Sequence, residues 1–166
     1  MKIDFRSTGV LDALTFLSMA VAVVAVTAPR PVMAEEPDTA AWKRAAAARS
    51  GCTLFVYEHD KEECLQFVKE IGQLETEASS CDSSLTKAQA EKRLEIAKDK
   101  LEVREHYLEL NTETYKVYAR VEGENKEYAQ EIMESLSGQI GGLKEKIHDH
   151  ERNVETCKEV IENAKE

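Results

Sequence analysis

Beyond Pro37 the chain contains no proline, the other two standing at 29 and 31. So long a stretch without a residue that breaks helices and strand ladders is unusual for a β-sandwich or a loop-rich disulfide scaffold, and it points to long helices. Glycine-rich phosphate loops, a nucleophile elbow and any Ser or Cys at triad-like spacing from a His are also missing. No enzymatic activity and no cofactor is therefore expected. No Cys-x-x-Cys pair occurs, which removes a thioredoxin-like redox site, and no paired Cys and His spacing suits structural zinc. Positive charge is short as well: 22 Lys and Arg stand against 32 Asp and Glu, a net charge of −10. That balance repels nucleic-acid backbones and anionic lipid headgroups, so nucleic acid is not an expected partner. The excess acidity itself reads as a solvated helical surface.

One apolar run stands out, from Ala13 to Ala28. Lys2 and Arg6 precede it, and Val32-Met33-Ala34 follows with slender side chains at the third and first positions before Glu35. This order is that of a secretory signal peptide cleaved after Ala34. The run is shorter than the about 20 residues needed to span a bilayer, so no membrane span is expected after cleavage. Asp4 and Asp12 fit poorly with a mitochondrial transit peptide, and Cys52 lies too far downstream to be a lipidated cysteine.

All four cysteines, Cys52, Cys64, Cys81 and Cys157, follow that segment, and an even number in an exported chain predicts two disulfides. Three pairings are possible, and the helical pattern ranks them. Residues 35 to 59 form an N-terminal segment with a short Ala-rich helix that stops at Gly51, while Thr53 to Tyr57 is either a short extended piece or the start of another helix. Asp60 and Glu63 have capping-box spacing and predict a helix start, with Cys64, Phe67, Val68, Ile71, Leu74 and Ala78 forming its apolar stripe. The Ser-rich stretch from 78 to 84 interrupts that pattern.

From about Leu85 to Val121 one long helix is expected. Leu94, Leu101, Leu108 and Tyr115 recur at seven, with Ala97 and Tyr118 between them, and Ile96, Val103, Leu110 and Val117 form a second series. The two stripes lie nearly opposite each other, so this helix is expected to be sandwiched. After Glu122-Gly123-Glu124-Asn125, the last helix carries Met133, Ile140, Ile147, Val154 and Ile161 at one heptad position and Ala129, Leu136, Leu143, His150, Cys157 and Ala164 at the other. This is a coiled-coil pattern and predicts an antiparallel hairpin with its neighbour. If the hairpin turns near Gly123, Cys157 is level with residue 88, an offset from Cys81 of about 10 Å unless the Ser-rich turn folds back along the bundle. Cys64 would lie farther from Cys157, which favours Cys52 with Cys64 and Cys81 with Cys157.

Glu145, His148 and His150 are the candidate metal ligands, because Glu145 and His148 make the Glu-x-x-His step of di-iron bundles. A second such step is missing, since Glu102 and His106 are four apart. His150 is also the polar interruption of the core stripe, where it would set register or sense pH. Gly138, Gly141 and Gly142 fall on the face opposite the seam, as a kink or a site of close helix approach. Among the tyrosines near the hairpin tip, Tyr115 and Tyr118 read as core, while Tyr107 and Tyr128 read as exposed, partner-binding residues.

The expected protein is thus all-α: a signal peptide over 1–34, an N-terminal segment over 35–59, and a disulfide-linked helical bundle with a long antiparallel coiled-coil hairpin over 60–166. Its expected place is periplasmic or secreted. Its expected role is protein–protein contact, as an adaptor, chaperone or envelope or secretion assembly component. The doubled stripe on the middle helix raises a homo-oligomer, and the alternative is a bundle that binds a metal or small ligand at Glu145, His148 and His150.

Overall fold

The computed structural model describes residues 38–164, so the expected signal segment and most of the acidic leader lie outside the described residues. Four α-helices and two single 3-10 turns succeed one another, with no strand among the described residues. None of these helices is long and apolar enough to cross a membrane.

Helix α1 spans Thr39–Ala47 and is capped by Asp38, whose carboxylate accepts from the Ala41 amide at 2.7 Å. Trp42 is its fully buried anchor and meets Tyr118 edge-on at a ring separation of 5.7 Å. Gly51, with φ of 74°, starts a 3-10 turn over Cys52–Leu54, a left-handed backbone that a side chain would resist. Phe55 then leads the chain in extended form to Tyr57. The Val56 amide donates to the Tyr118 hydroxyl at 3.1 Å, which ties this approach to the bundle.

Helix α2 covers Glu58–Glu75 and begins three residues before the position that the capping-box spacing predicts. Tyr57 is its N-cap, without a side-chain cap bond, and Asp60 is a buried member of the first turn rather than the cap. The two carboxylates of that turn, Glu58 and Asp60, still favour the positive end of the helix dipole. Cys64 is fully buried and Phe67, Ile71 and Leu74 are half-buried, but Val68 and Ala78 leave the expected stripe for solvent.

Helix α3 runs over Lys87–Tyr118 from a full capping box, in which Thr86 accepts from the Gln89 amide and Gln89 accepts from the Thr86 amide. Gly123, with φ of 77°, opens the second 3-10 turn, Gly123–Asn125, which feeds directly into α4 over Lys126–Asn163. Contact between α3 and α4 is the most extensive in the molecule, and α2 also packs on α3, so the middle helix is sandwiched.

The line that does the packing on α3 is the intervening one, on which Ala97 and Tyr118 are expected, joined by Leu110 of the second series, and not that of Leu94, Leu101, Leu108 and Tyr115. Ala90, Ala97, Arg104, Asn111 and Tyr118, spaced by seven, are buried, together with Lys100, Tyr107 and Thr114 on the adjoining line. Leu94, Leu101 and Leu108 only flank this seam, and Tyr115 is exposed. On α4, Ala129, Leu136, Leu143 and Cys157 are buried as the heptad predicts, but the second buried series begins at Ile132, not Met133, and ends at Val154. A straight helix of 3.6 residues per turn drifts by about 20° per heptad, so the buried stripe slides from one residue to its neighbour along a helix this long.

Cys52 pairs with Cys64, and Cys81 pairs with Cys157. The offset of the second pair is closed by the Ser-rich segment, which folds back along the bundle. Its carbonyls accept in turn from Lys100 (Glu77, 2.6 Å), Asn153 (Ser79, 2.9 Å) and Arg93 (Ser80, 2.6 Å). The Cys81–Cys157 link closes 76 positions of sequence and Cys52–Cys64 closes 12. Replacing each pair by alanines is therefore expected to lower unfolding stability by about 4 kcal/mol for the long loop and about 3 kcal/mol for the short one. Guanidinium unfolding of the two double variants checks this; a reversed order would show that loop closure does not set their worth.

Candidate interaction surface

Helix α2 has an inner face that reads the polar seam of α3 and an outer face that is left to solvent. On the inner side, the Arg104 guanidinium is almost fully buried, pairs with the Glu75 carboxylate and donates to the Lys100 carbonyl at 3.0 Å. The Lys100 ammonium, also buried, donates to the Glu77 carbonyl. A buried cation without acceptors is heavily penalised, so these bonds fix where α2 ends against α3.

Higher on the same face, the Phe67 ring lies 5.9 Å from that of Tyr107, whose hydroxyl is 3.4 Å from the Cys64 sulfur and donates to Gln139 Oε1 at 3.1 Å. Burial raises the Tyr107 pKa. Tyr107 therefore belongs to the core, and its expected role as an exposed partner-binding residue is corrected. The reason is that α2 covers the side of α3 that the apolar series left open. Tyr128 is half-buried and packs against the core, whereas Tyr115, expected in the seam, is the exposed tyrosine at 37%. The side of α3 that suggested self-association is occupied by α2 of the same chain, so that stripe gives no reason for a second copy.

The outer side of α2 presents Leu65 and Val68, which are 53% and 47% exposed. They are three apart and so share one face. With Tyr115 they make up the exposed large hydrophobic residues among those described. Gly72 continues that face one turn on and has open space where a side chain would stand.

The proposed metal ligands do not converge. Glu145 and His148 are exposed, and His148 faces Glu151 at 3.6 Å instead of Glu145. No group of three or more His, Cys, Asp or Glu side chains is placed to hold a metal among the described residues. His150 is half-buried toward Arg104 and Lys100, a cationic setting that opposes metal binding. Gly138, Gly141 and Gly142 lie within an uninterrupted helix with nothing near the place of a Cβ, so no helix among the described residues approaches them closely. The residues that sequence reading passed over are Lys100, Arg104 and Asn111, which a count of apolar positions skips. No family model, curated protein or solved structure matches the chain.

Two consequences of the seam are measurable. Burial and the Arg104 guanidinium, joined by Lys100, hold the His150 pKa below its ordinary 6.5, against the opposite pull of Glu75 and Asp149. Unfolded His150 takes up its proton near that value while the folded side chain resists, so the unfolded state binds more protons as pH falls. Stability is then full above about pH 6.5 and declines as pH drops toward the lowered folded value. His150→Leu is expected to flatten that slope in urea melts between pH 7 and 5; an unchanged slope would assign it elsewhere. Asn111 is fully buried, with Nδ2 donating to the Tyr107 carbonyl at 2.7 Å and Oδ1 without a partner among the described residues. Asn111→Leu is expected to raise unfolding stability by about 1–2 kcal/mol in the same melts, because an unsatisfied desolvated oxygen is removed; a loss of stability would contradict this.

Proposed function

We infer that the protein is an exported helical-bundle interaction protein, an adaptor, chaperone or envelope or secretion assembly component, and that it works through protein contacts at the outer face of α2. The observation that carries this reading is the pair Leu65 and Val68, each about half exposed on one helix face. They lie on an element whose inner side is anchored by a disulfide and by the ion pair of its Glu75 with the buried Arg104. Apolar side chains on a firmly held helix lose little further freedom when a partner covers them.

Export is supported by the Lys2, Arg6 and Ala13–Ala28 pattern with Val32-Met33-Ala34, and by two disulfides that suit an oxidising compartment. An antiparallel hairpin of α3 and α4 is supported by their short connection and by the Tyr107–Gln139 hydrogen bond, which joins positions nearly equidistant from Gly123. The acidic surface keeps such a rod in solution and leaves apolar contact to a small patch.

The test places a photo-crosslinking residue at position 65 or 68 in the exported protein in its native compartment, with Glu109 as an exposed polar control. Discrete adducts at 65 and 68 that are competed away by excess unlabelled protein and absent at 109 are expected. A Leu65→Ser, Val68→Ser double variant should compete poorly while its unfolding stability stays within about 0.5 kcal/mol of the parent, as for other surface changes. Adducts equally abundant at all three positions, or none, would overturn the reading.

A further inference from the structure

A cleft of about 580 Å³ opens between α1, the Cys52–Leu54 turn and the first turn of α2. Its volume is that of a small-molecule site. One wall is built from the methyl groups of Ala41 and Ala45, four apart on α1, with Ala48 just past its end, and the facing wall includes Phe55 and Val56. The concavity comes from the alanine composition: a helix face with nothing beyond Cβ stands back from its neighbour.

Its charged groups are few. Arg44 comes from the last turn of α1, and Lys61 and Glu58 come from the first turn of α2. Lys61 and Glu58 face each other at 3.7 Å and offset one another, whereas Arg44 makes no ion pair among the described residues. In a chain with so large an excess of acid, this cleft carries one net positive charge over an apolar wall. The walls are also firmly placed. The Cys52–Cys64 disulfide joins the turn to α2, Val56 is bonded to Tyr118, and Thr53 donates to the Ser50 carbonyl at 3.2 Å.

We propose that this cleft binds a small apolar monocarboxylate, with its hydrocarbon part between the alanine wall of α1 and Phe55 and Val56, and its carboxylate on the Arg44 guanidinium with Lys61 beside it. Guanidinium and carboxylate match as a two-pronged, charge-assisted pair, and such bonds are about twice as strong as neutral ones. The apolar body supplies the burial that a charge pair at the surface lacks. A cation of the same shape is repelled, and a neutral alcohol keeps only the apolar contact. The cleft adjoins the outer face of α2, since Lys61 lies one turn before Leu65, but the proposed ligand contacts do not rest on a protein partner at that face.

The experiment is calorimetric titration of the disulfide-intact protein with decanoate, decanol and decyltrimethylammonium, each below the concentration at which it self-associates. The intrinsic fluorescence of Trp42, the single tryptophan, which lies on α1, is the second readout. Saturable binding of decanoate near one equivalent is expected, with decanol at least about tenfold weaker and the cation weaker still. Arg44→Gln should weaken decanoate about tenfold without changing decanol, and Arg44→Lys should restore part of the difference. Ala41→Leu, which fills the cleft from a partly exposed position, should weaken decanoate and decanol together. Both sites of substitution are at the surface of α1, and unchanged helical circular dichroism reports that the fold is kept. Equal affinity for decanoate and decanol, insensitivity to both substitutions, or no saturable binding would overturn the proposal.

Discussion

Lys100 and Arg104 are placed in the desolvated centre of a helix that has neighbours on both sides, and their need for acceptors organises what packs around them. A buried ammonium or guanidinium left unpaired would outweigh several apolar contacts. The acceptors come from one short stretch of chain: the carboxylate of Glu75 and the carbonyl of Glu77. Satisfying both ends α2 at one place on α3 and sends the following residues back along the bundle. Two residues further on, the Ser79 carbonyl meets Asn153, and Cys81 arrives at Cys157. The long-range disulfide is thus prepared by hydrogen bonds to two buried cations and one asparagine, and not by apolar packing of its own loop.

The opposite end of α2 is held by different physics. There Trp42, Leu54, Phe55 and Tyr118 form an apolar cluster, and the main polar tie is the Val56 amide to the Tyr118 hydroxyl. Burial raises the Tyr118 pKa, so that hydroxyl stays neutral throughout the ordinary pH range. One end of the molecule therefore depends mainly on solvent exclusion, while the end near His150, Arg104 and Glu75 is built on charge.

Much of this was legible in the residues. The helices follow from the absence of proline and the seven-residue repeats, and the cysteine pairing follows from bundle geometry with its one proviso, that the Ser-rich turn fold back. The middle helix was legible only in outline. Its two-sided burial was implied by the doubled series, yet the buried line runs through Ala90, Ala97, Arg104, Asn111 and Tyr118. A reading that scores apolarity passes over Arg104 and Asn111, and so assigned Tyr107 to the surface and Tyr115 to the seam. The Thr86 and Gln89 spacing was a signal in plain view that marks the start of α3. By contrast, the Asp60 and Glu63 spacing resembled a cap, but the neighbouring Tyr57 is a buried anchor, and the helix starts three residues earlier. Spacing rules see local hydrogen bonds; they do not see which residue the rest of the chain has pinned.

Polar residues in the seam also answer a problem that the apolar pattern creates. A repeat of seven along α4 allows the helix to slide by one heptad against α3 and still bury Ala, Ile and Leu. Such a slip moves Gln139 about 10 Å from the Tyr107 hydroxyl and takes Asn153 away from the Ser79 carbonyl. It also carries Cys157 out of reach of Cys81, since cysteine α-carbons must lie within about 7 Å to be joined. Each loss leaves a buried polar group unmet or a thiol unpaired, while the apolar energy hardly changes.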